Sequence, residues 1–154
     1  EVLPYKNDEL INAHAMPGAH AALQAVQDAG LRCALFTNPS FPQGAIECRM
    51  GWGDLADAPF ELVTHMGNAT RCKPDATYYL EQLQVMGLEP HEVLMVGNDP
   101  KRDFPSPACG IQTAYVGQGK PNRVTWRGTM EGFARDFNAV VEAFYEHQVA
   151  DELS

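Results

Sequence analysis

Residues 93–104, VLMVGNDPKRDF, give the clearest indication of the fold. This stretch begins as a short apolar run and breaks at Gly97, the pattern of a buried strand that ends in a tight turn. Two acids, Asp99 and Asp103, follow the end of that strand. Open parallel sheets bind ligands at the carboxyl ends of their strands, where loops and helix N-termini converge. We therefore expect both acids to lie on a ligand-binding edge.

Apolar runs and helical segments alternate along the rest of the chain. Continuous apolar runs predict strands at 31–36, 60–65, 92–97 and 111–116. Helical spacing and end signals predict helices at 17–30, 44–52, 75–87 and 129–148, with a weakly marked helix around the PACG of 107–110. This alternation predicts an α/β fold: a Rossmann-like, doubly wound parallel sheet with helices on both faces.

Composition narrows the classes of function. With 154 residues the chain has the length of one domain, and its net charge of −9 disfavours a nucleic-acid partner. It carries neither a membrane-spanning apolar run nor a signal segment, so no membrane association is expected. The four cysteines are scattered without zinc-ligand spacing and are expected to be reduced thiols. These features together predict a cytoplasmic location.

Polar residues at two other element ends complete a constellation. Thr37 and Asn38 follow the strand at 31–36, where hydroxyl and amide donors could hold an anion. Lys73 precedes a helix and could project a point charge toward the same edge. Magnesium prefers hard oxygen ligands and keeps several waters, so one or two carboxylates suffice to hold it. Donors, a lysine and paired acids together predict phosphoryl binding with Mg²⁺.

Each of these residues also has a simpler interpretation when taken alone. The dipeptide at 37–38 could be an ordinary turn, because Asn tolerates turn conformations. Lys73 could be a solvated surface lysine, Asp99 a helix cap and Asp103 a solvated helix residue. Arg102 could pair with a neighbouring acid and make the segment structural. It is their joint occurrence, each at the end of the appropriate element, that favours a site.

The strings ALFTN, CKPD and MVGNDPKRDF…ACGIQTAYV, in this order and spacing, resemble the haloacid dehalogenase (HAD) superfamily of phosphatases and related hydrolases. The resemblance covers residues 17–116. It implies a HAD-like core at 17–154, preceded at 1–16 by a linker or the tail end of a helical cap.

The resemblance also implies roles for the candidate residues. Thr37 and Asn38 match the second motif of the family, which implies phosphate binding. Lys73 matches the third-motif lysine, which implies phosphate binding and a catalytic role in stabilising the reacting carboxylate and phosphate. Asp99 and Asp103 match the acids of the fourth motif, which implies an Mg²⁺ site. Because Asn98 takes the position directly after Gly97, either acid is compatible with direct contact to the metal.

One motif of the resembling family is absent. Its nucleophile is the first aspartate of an Asp-x-Asp-Gly-Thr motif at the end of the first strand, and the second aspartate is the general acid and base. Asp8 follows no apolar strand, and Asp54 and Asp57 lie between elements. None of them fits, so the nucleophile is expected upstream of Glu1, and this chain by itself is expected to be inactive.

The resemblance places that first strand between the strands at 31–36 and 92–97. Without it, backbone groups of both strands would be left unpaired, at a sizeable desolvation cost. We therefore expect that an N-terminal segment of the same protein, or a partner chain, completes the sheet.

The resulting hypothesis is a magnesium-dependent phosphatase that hydrolyses a small phosphorylated metabolite through an aspartyl-phosphate. The alternative is a non-catalytic relative that uses the same edge to bind a phosphorylated ligand or a partner protein. A metal-independent dehalogenase is disfavoured by the acid pair. Hydrolysis of a generic phosphate ester with and without magnesium discriminates the first two classes.

Overall fold

The computed structural model describes residues 14–153, with the backbone alone at Glu152. Most of the predicted linker at 1–16 therefore lies outside the described residues. The strands are β1 (Ala34–Leu35), β2 (Leu62–Val63), β3 (Leu94–Gly97), β4 (Gln112–Val116) and β5 (Trp126–Gly128). The helices are α1 (Ala19–Asp28), α2 (Gln43–Trp52), α3 (Ala76–Met86), α4 (Met130–Arg135) and α5 (Phe137–Glu152), with single 3₁₀ turns at Pro90–Glu92 and Pro107–Cys109.

Every strand pair is parallel, which confirms the predicted α/β architecture. The strand β1 pairs with β2, and separately β3, β4 and β5 form a sheet in that order. No ladder joins β1 to β3 within residues 14–153. The two strands that carry the predicted site motifs therefore belong to two separate pieces of sheet.

Alternation along β3 and the residue before it sends side chains to two cores, one on each face of the sheet. Leu94 and Val96 pack in a core built with α1, α4 and α5. Val93 and Met95 pack on the opposite face, against a core that contains residues of α3. Helices on both faces are the doubly wound arrangement expected from the sequence.

Burial differs between the strands. All five residues of β4 are buried, as expected for a strand with neighbours on both sides. Every residue of β1 and of β3 is only half-buried. The edges of β1 and β3 that carry no ladder among the described residues are thus accessible.

The helix α3 begins and ends where the sequence predicts. The Asp75 side chain accepts a hydrogen bond from the Thr77 N–H at 2.8 Å, and so caps the N-terminus. Gly87 closes the other end in the left-handed conformation, with φ of 68°. No helix in the described part of the chain is long and apolar enough to cross a membrane.

The C-terminal third differs from the prediction. The helix expected at 129–148 is two helices, α4 and α5, that meet at Asp136. Phe133 and Phe137, four residues apart, both lie in the core, with ring centroids 5.6 Å apart. The strand β5 was not predicted, because its three residues are too short to show a pattern. The weakly marked helix around 107–110 is only a 3₁₀ turn.

Candidate active site

Three chain segments converge at the carboxyl ends of β1 and β3. The Lys73 backbone N–H donates to Oδ1 of Asn38 at 3.0 Å, which ties the loop after β1 to the residues before α3. The Lys73 ammonium donates to Oδ1 of Asp103 at 2.7 Å, which ties those residues to the loop after β3. Asn38, Lys73 and Asp103, which come from three separate segments, are thus linked by direct hydrogen bonds.

The Lys73–Asp103 pair is largely withdrawn from solvent. Their side chains are 9% and 15% exposed. Oδ2 of Asp103 also accepts from the backbone N–H groups of Asn98 at 3.1 Å and Asp99 at 3.0 Å. These partners compensate the buried carboxylate, as a charge removed from water requires. The interpretations of Lys73 and Asp103 as solvated surface residues do not describe this geometry.

Gly97 lets the Asp103 side chain lie directly on the end of β3. A Cβ at position 97 would come within 2.6 Å of the Asp103 Cβ, which is closer than two non-bonded carbon atoms approach. The packing of Asp103 therefore requires glycine at position 97, which also marks the turn.

Replacing Gly97 by alanine is expected to displace Asp103 and to lower the free energy of unfolding by about 1–3 kcal/mol, the usual cost of overpacking. Gly51→Ala is the matched control, because a Cβ there meets nothing within 4 Å and alanine favours α2. Urea unfolding of both variants measures the difference. Equal stability of the Gly97→Ala variant and the parent chain would contradict the close packing.

Asp99 is placed differently from Asp103. Its Oδ1 accepts from the backbone N–H groups of Lys101 at 3.1 Å and Arg102 at 3.3 Å, so it caps the turn that follows. Its Oδ2 lies 3.6 Å from Nε of Arg102, and the side chain is 44% exposed. The ion pair considered in the sequence analysis is present, whereas the residues that Asp99 caps form a turn and not a helix.

The donor chemistry of this loop suits a hard cation. No group of three or more His, Cys, Asp or Glu side chains gathers at a metal-binding distance within residues 14–153. Magnesium does not need such a cage, because it is commonly held by one or two carboxylates, with waters and phosphate oxygens as its other ligands. Asp99 has the more accessible carboxylate oxygen, whereas both oxygens of Asp103 are occupied.

Thr37 is turned inward. Its hydroxyl donates to the Thr64 carbonyl at 2.7 Å, and its backbone N–H donates to the Thr64 hydroxyl at 2.7 Å. The hydroxyl hydrogen thus holds its own loop in place. Asn38 Oδ1 accepts from the Lys73 N–H, so the side-chain donors that Asn38 offers are its Nδ2 hydrogens.

Three buried residues that the sequence analysis did not single out support these loops. Thr64, Tyr78 and Tyr79 are each 0% exposed. Their sequence signals were a polar residue at the end of a strand and a Tyr-Tyr pair in the first turns of a helix. Burial raises the pKa of both tyrosines well above the usual range, so both hydroxyls remain protonated donors.

A cavity of about 280 Å³ lies beside this edge, between β1 and α2. Thr37 and Asn38 form part of its wall, and Arg49 stands over the ring of Phe41 at 4.1 Å from the ring centroid. The cavity thus adjoins the loop after β1, whereas Lys73, Asp99 and Asp103 do not line it.

Comparison with known proteins identifies the family. Residues 3–109 match the family of hydrolases described as haloacid dehalogenase-like hydrolase. The chain belongs to the haloacid dehalogenase-like hydrolases. This match spans the convergent loops at Asn38, Lys73 and Asp103 and confirms the resemblance seen in the sequence motifs.

One relative of this HAD-like chain, known by name, agrees with the family assignment. A phosphoglycolate phosphatase of Rhodospirillum rubrum is 31% identical over 115 residues, which cover 75% of this chain and 46% of that protein. This chain therefore spans less than half the length of that relative.

Solved structures share the HAD-like fold. A β-phosphoglucomutase of Clostridium difficile superposes with a TM-score of 0.72 at 16% identity, covering 95% of this chain and 63% of that one. A HAD family hydrolase of Deinococcus radiodurans superposes with a TM-score of 0.66 at 20% identity, covering 84% and 60%. At these identities the likeness shows the fold alone.

Proposed function

We propose that the complete protein is a magnesium-dependent phosphatase of a small phosphorylated metabolite, acting through an aspartyl-phosphate whose aspartate lies upstream of Glu1. The observation that carries the proposal is the bridging position of Lys73. Its backbone holds Asn38 and its ammonium holds Asp103, so one residue joins the loops after β1 and β3. Such a convergence of donors, a cation and acids suits a phosphoryl group.

Each described residue of the site has its own role in the proposed phosphoryl transfer. The Nδ2 hydrogens of Asn38 and the Lys73 ammonium bind the phosphoryl oxygens and stabilise the charge that develops on them in the transition state. Asp103 keeps the ammonium in position. Asp99, with Asp103 behind it, would hold Mg²⁺, which neutralises phosphate charge when it is bound.

The covalent step that we propose takes place at the phosphorus atom. A carboxylate oxygen of the upstream aspartate bonds to phosphorus, and the bond from phosphorus to the ester oxygen breaks. The leaving oxygen takes a proton from a general acid, and water then hydrolyses the acyl phosphate to release inorganic phosphate. Lys73 offsets the mutual repulsion of the attacking carboxylate and the phosphate.

The separation of the sheet into two pieces supports a place for that aspartate between β1 and β3. The open edges of β1 and β3 carry no ladder in the described part of the chain, and both strands are half-buried. We propose that a strand from the N-terminal segment of the same protein fills this place, with a partner chain as the alternative source. The carboxyl end of such a strand would lie beside Lys73.

The substrate class rests on the relatives. The Rhodospirillum rubrum relative is named a phosphoglycolate phosphatase, and the Deinococcus radiodurans structure contains bound phosphate. We propose a small phosphate monoester of that kind. We also propose a cytoplasmic location for the protein.

The test of this proposal is phosphate release from p-nitrophenyl phosphate and 2-phosphoglycolate by the full-length protein, with MgCl₂ and with excess EDTA. We expect turnover with magnesium and a loss of at least about 100-fold with EDTA, because removing the cation removes its stabilisation of transition-state charge. Restoring MgCl₂ is expected to restore the rate. Binding of inorganic phosphate without turnover would favour the non-catalytic alternative, and turnover unaffected by EDTA would contradict the metal.

A further inference from the structure

The two loops of the site, one after β1 and one after β3, contact the same helix. The loop after β1 carries Asn38, and the loop after β3 carries Asp103, yet no ladder connects these strands within residues 14–153. Their relative position depends on what packs across both. The first turns of α3, directly after Lys73, lie across both loops.

Tyr78 reaches the loop after β1. Its hydroxyl donates to the Thr37 carbonyl at 2.5 Å and lies 2.8 Å from the Thr64 hydroxyl. Thr64 in turn accepts from the Thr37 N–H and receives the Thr37 hydroxyl on its carbonyl. Every polar group of Thr37 is thereby held by Thr64 and Tyr78, and Asn38 is the next residue along the chain.

Tyr79 reaches the other loop. Its hydroxyl donates to the backbone carbonyl of Asp103, the residue whose carboxylate holds the Lys73 ammonium. The rings of Tyr78 and Tyr79 pack edge to face at 5.1 Å, and Phe36 packs against both of them. Adjacent residues of one helix thus hold the two loops, and their rings hold each other.

We propose that Tyr78 and Tyr79 are positioning residues with separate duties: Tyr78, with Thr64, positions the phosphate-binding loop at Asn38, and Tyr79 positions the acid loop at Asp103. This inference rests on the proposed phosphatase function. Neither hydroxyl reaches the accessible edge, since both residues are 0% exposed, so each acts through the backbone atom it holds.

The separation of duties predicts opposite kinetic signatures. Tyr78→Phe removes the donor to the Thr37 carbonyl, so the KM for p-nitrophenyl phosphate and the inhibition constant of inorganic phosphate should rise roughly three- to tenfold, the effect of one lost hydrogen bond. The Mg²⁺ concentration for half-maximal rate should not change. Tyr79→Phe should raise that Mg²⁺ concentration by a similar factor and leave the phosphate inhibition constant unchanged.

The experiment uses the full-length protein and measures both constants for the parent, each variant and the control Tyr145→Phe, a tyrosine exposed on α5. Thermal unfolding of each variant is recorded alongside. Phenylalanine keeps the ring packing, so each variant isolates the loss of one hydroxyl.

The outcomes separate this inference from the proposed function. An inactive parent protein that does not bind phosphate would overturn the phosphatase itself. An active parent whose two variants shift both constants together, or shift neither, would overturn the division of duties. If the two tyrosines only stabilised the fold, each variant would raise both constants by the same factor, and the rise would follow its loss of thermal stability.

Discussion

Replacing Lys73 by methionine is expected to reduce phosphate release by the full-length protein by roughly 10²–10³-fold, the range typical for removal of a preorganised electrostatic group. The ammonium lies between the loop at Asn38 and the loop at Asp103, where Asp103 holds it at 2.7 Å. Methionine matches the length of the side chain but cannot neutralise phosphate charge. Steady-state kinetics with p-nitrophenyl phosphate measures the loss, which should appear in kcat more than in KM.

The same substitution should also destabilise the fold. It leaves the Asp103 carboxylate, 15% exposed, without its cation, and breaking such a pair costs about 3 kcal/mol when one partner remains buried. Urea unfolding measures this cost. The double variant Lys73→Met, Asp103→Asn should recover part of the stability and none of the activity.

Lys101→Met is the matched control for both measurements. Lys101 lies on the same loop as Asp103 and is exposed. Its replacement should change the free energy of unfolding by less than about 0.5 kcal/mol, as for most surface positions. A Lys73→Met variant that behaves like this control would contradict the role given to the ammonium.

Completion of the sheet is the second large effect. A strand between β1 and β3 would pair with open edges on both of its sides. Several hydrogen bonds, each worth about 1 kcal/mol net, should raise the free energy of unfolding of the full-length protein above that of the 154-residue chain by on the order of 3–6 kcal/mol. Urea unfolding of the two proteins measures the difference.

The control for sheet completion is a full-length variant with proline at the centre of the proposed strand. Proline cannot donate to a ladder and should remove most of the added stability. Equal stability of the full-length protein and the 154-residue chain would contradict a strand at this place.

The sequence predicted the parallel architecture and the meeting of the loops because both follow from local patterns. The apolar run before Gly97 marks a buried strand, and parallel strands place their following residues at one edge. It also predicted that Asn38, Lys73 and Asp103 would share that edge. Their direct contacts go beyond that rule, because no ladder joins β1 to β3 among the described residues and Lys73 lies before a helix.

Other features were not predictable from local patterns. The inward turn of the Thr37 hydroxyl depends on Thr64, a partner from a neighbouring strand that no local pattern identifies. Tyr78 and Tyr79 look like ordinary core residues until their hydroxyl partners are known. The interruption at Asp136, where φ is −101° and ψ is 22°, has no proline or glycine at that residue to mark it.

The most direct test of the proposed active site is a crystal structure of the full-length protein soaked with tungstate, an anion that mimics phosphate. We expect tungstate within hydrogen-bonding distance of Asn38 Nδ2 and Lys73 Nζ. We also expect an upstream strand between β1 and β3 that ends in an aspartate facing the anion. Tungstate bound elsewhere, or a strand at this place without an acid at its carboxyl end, would contradict the proposed active site.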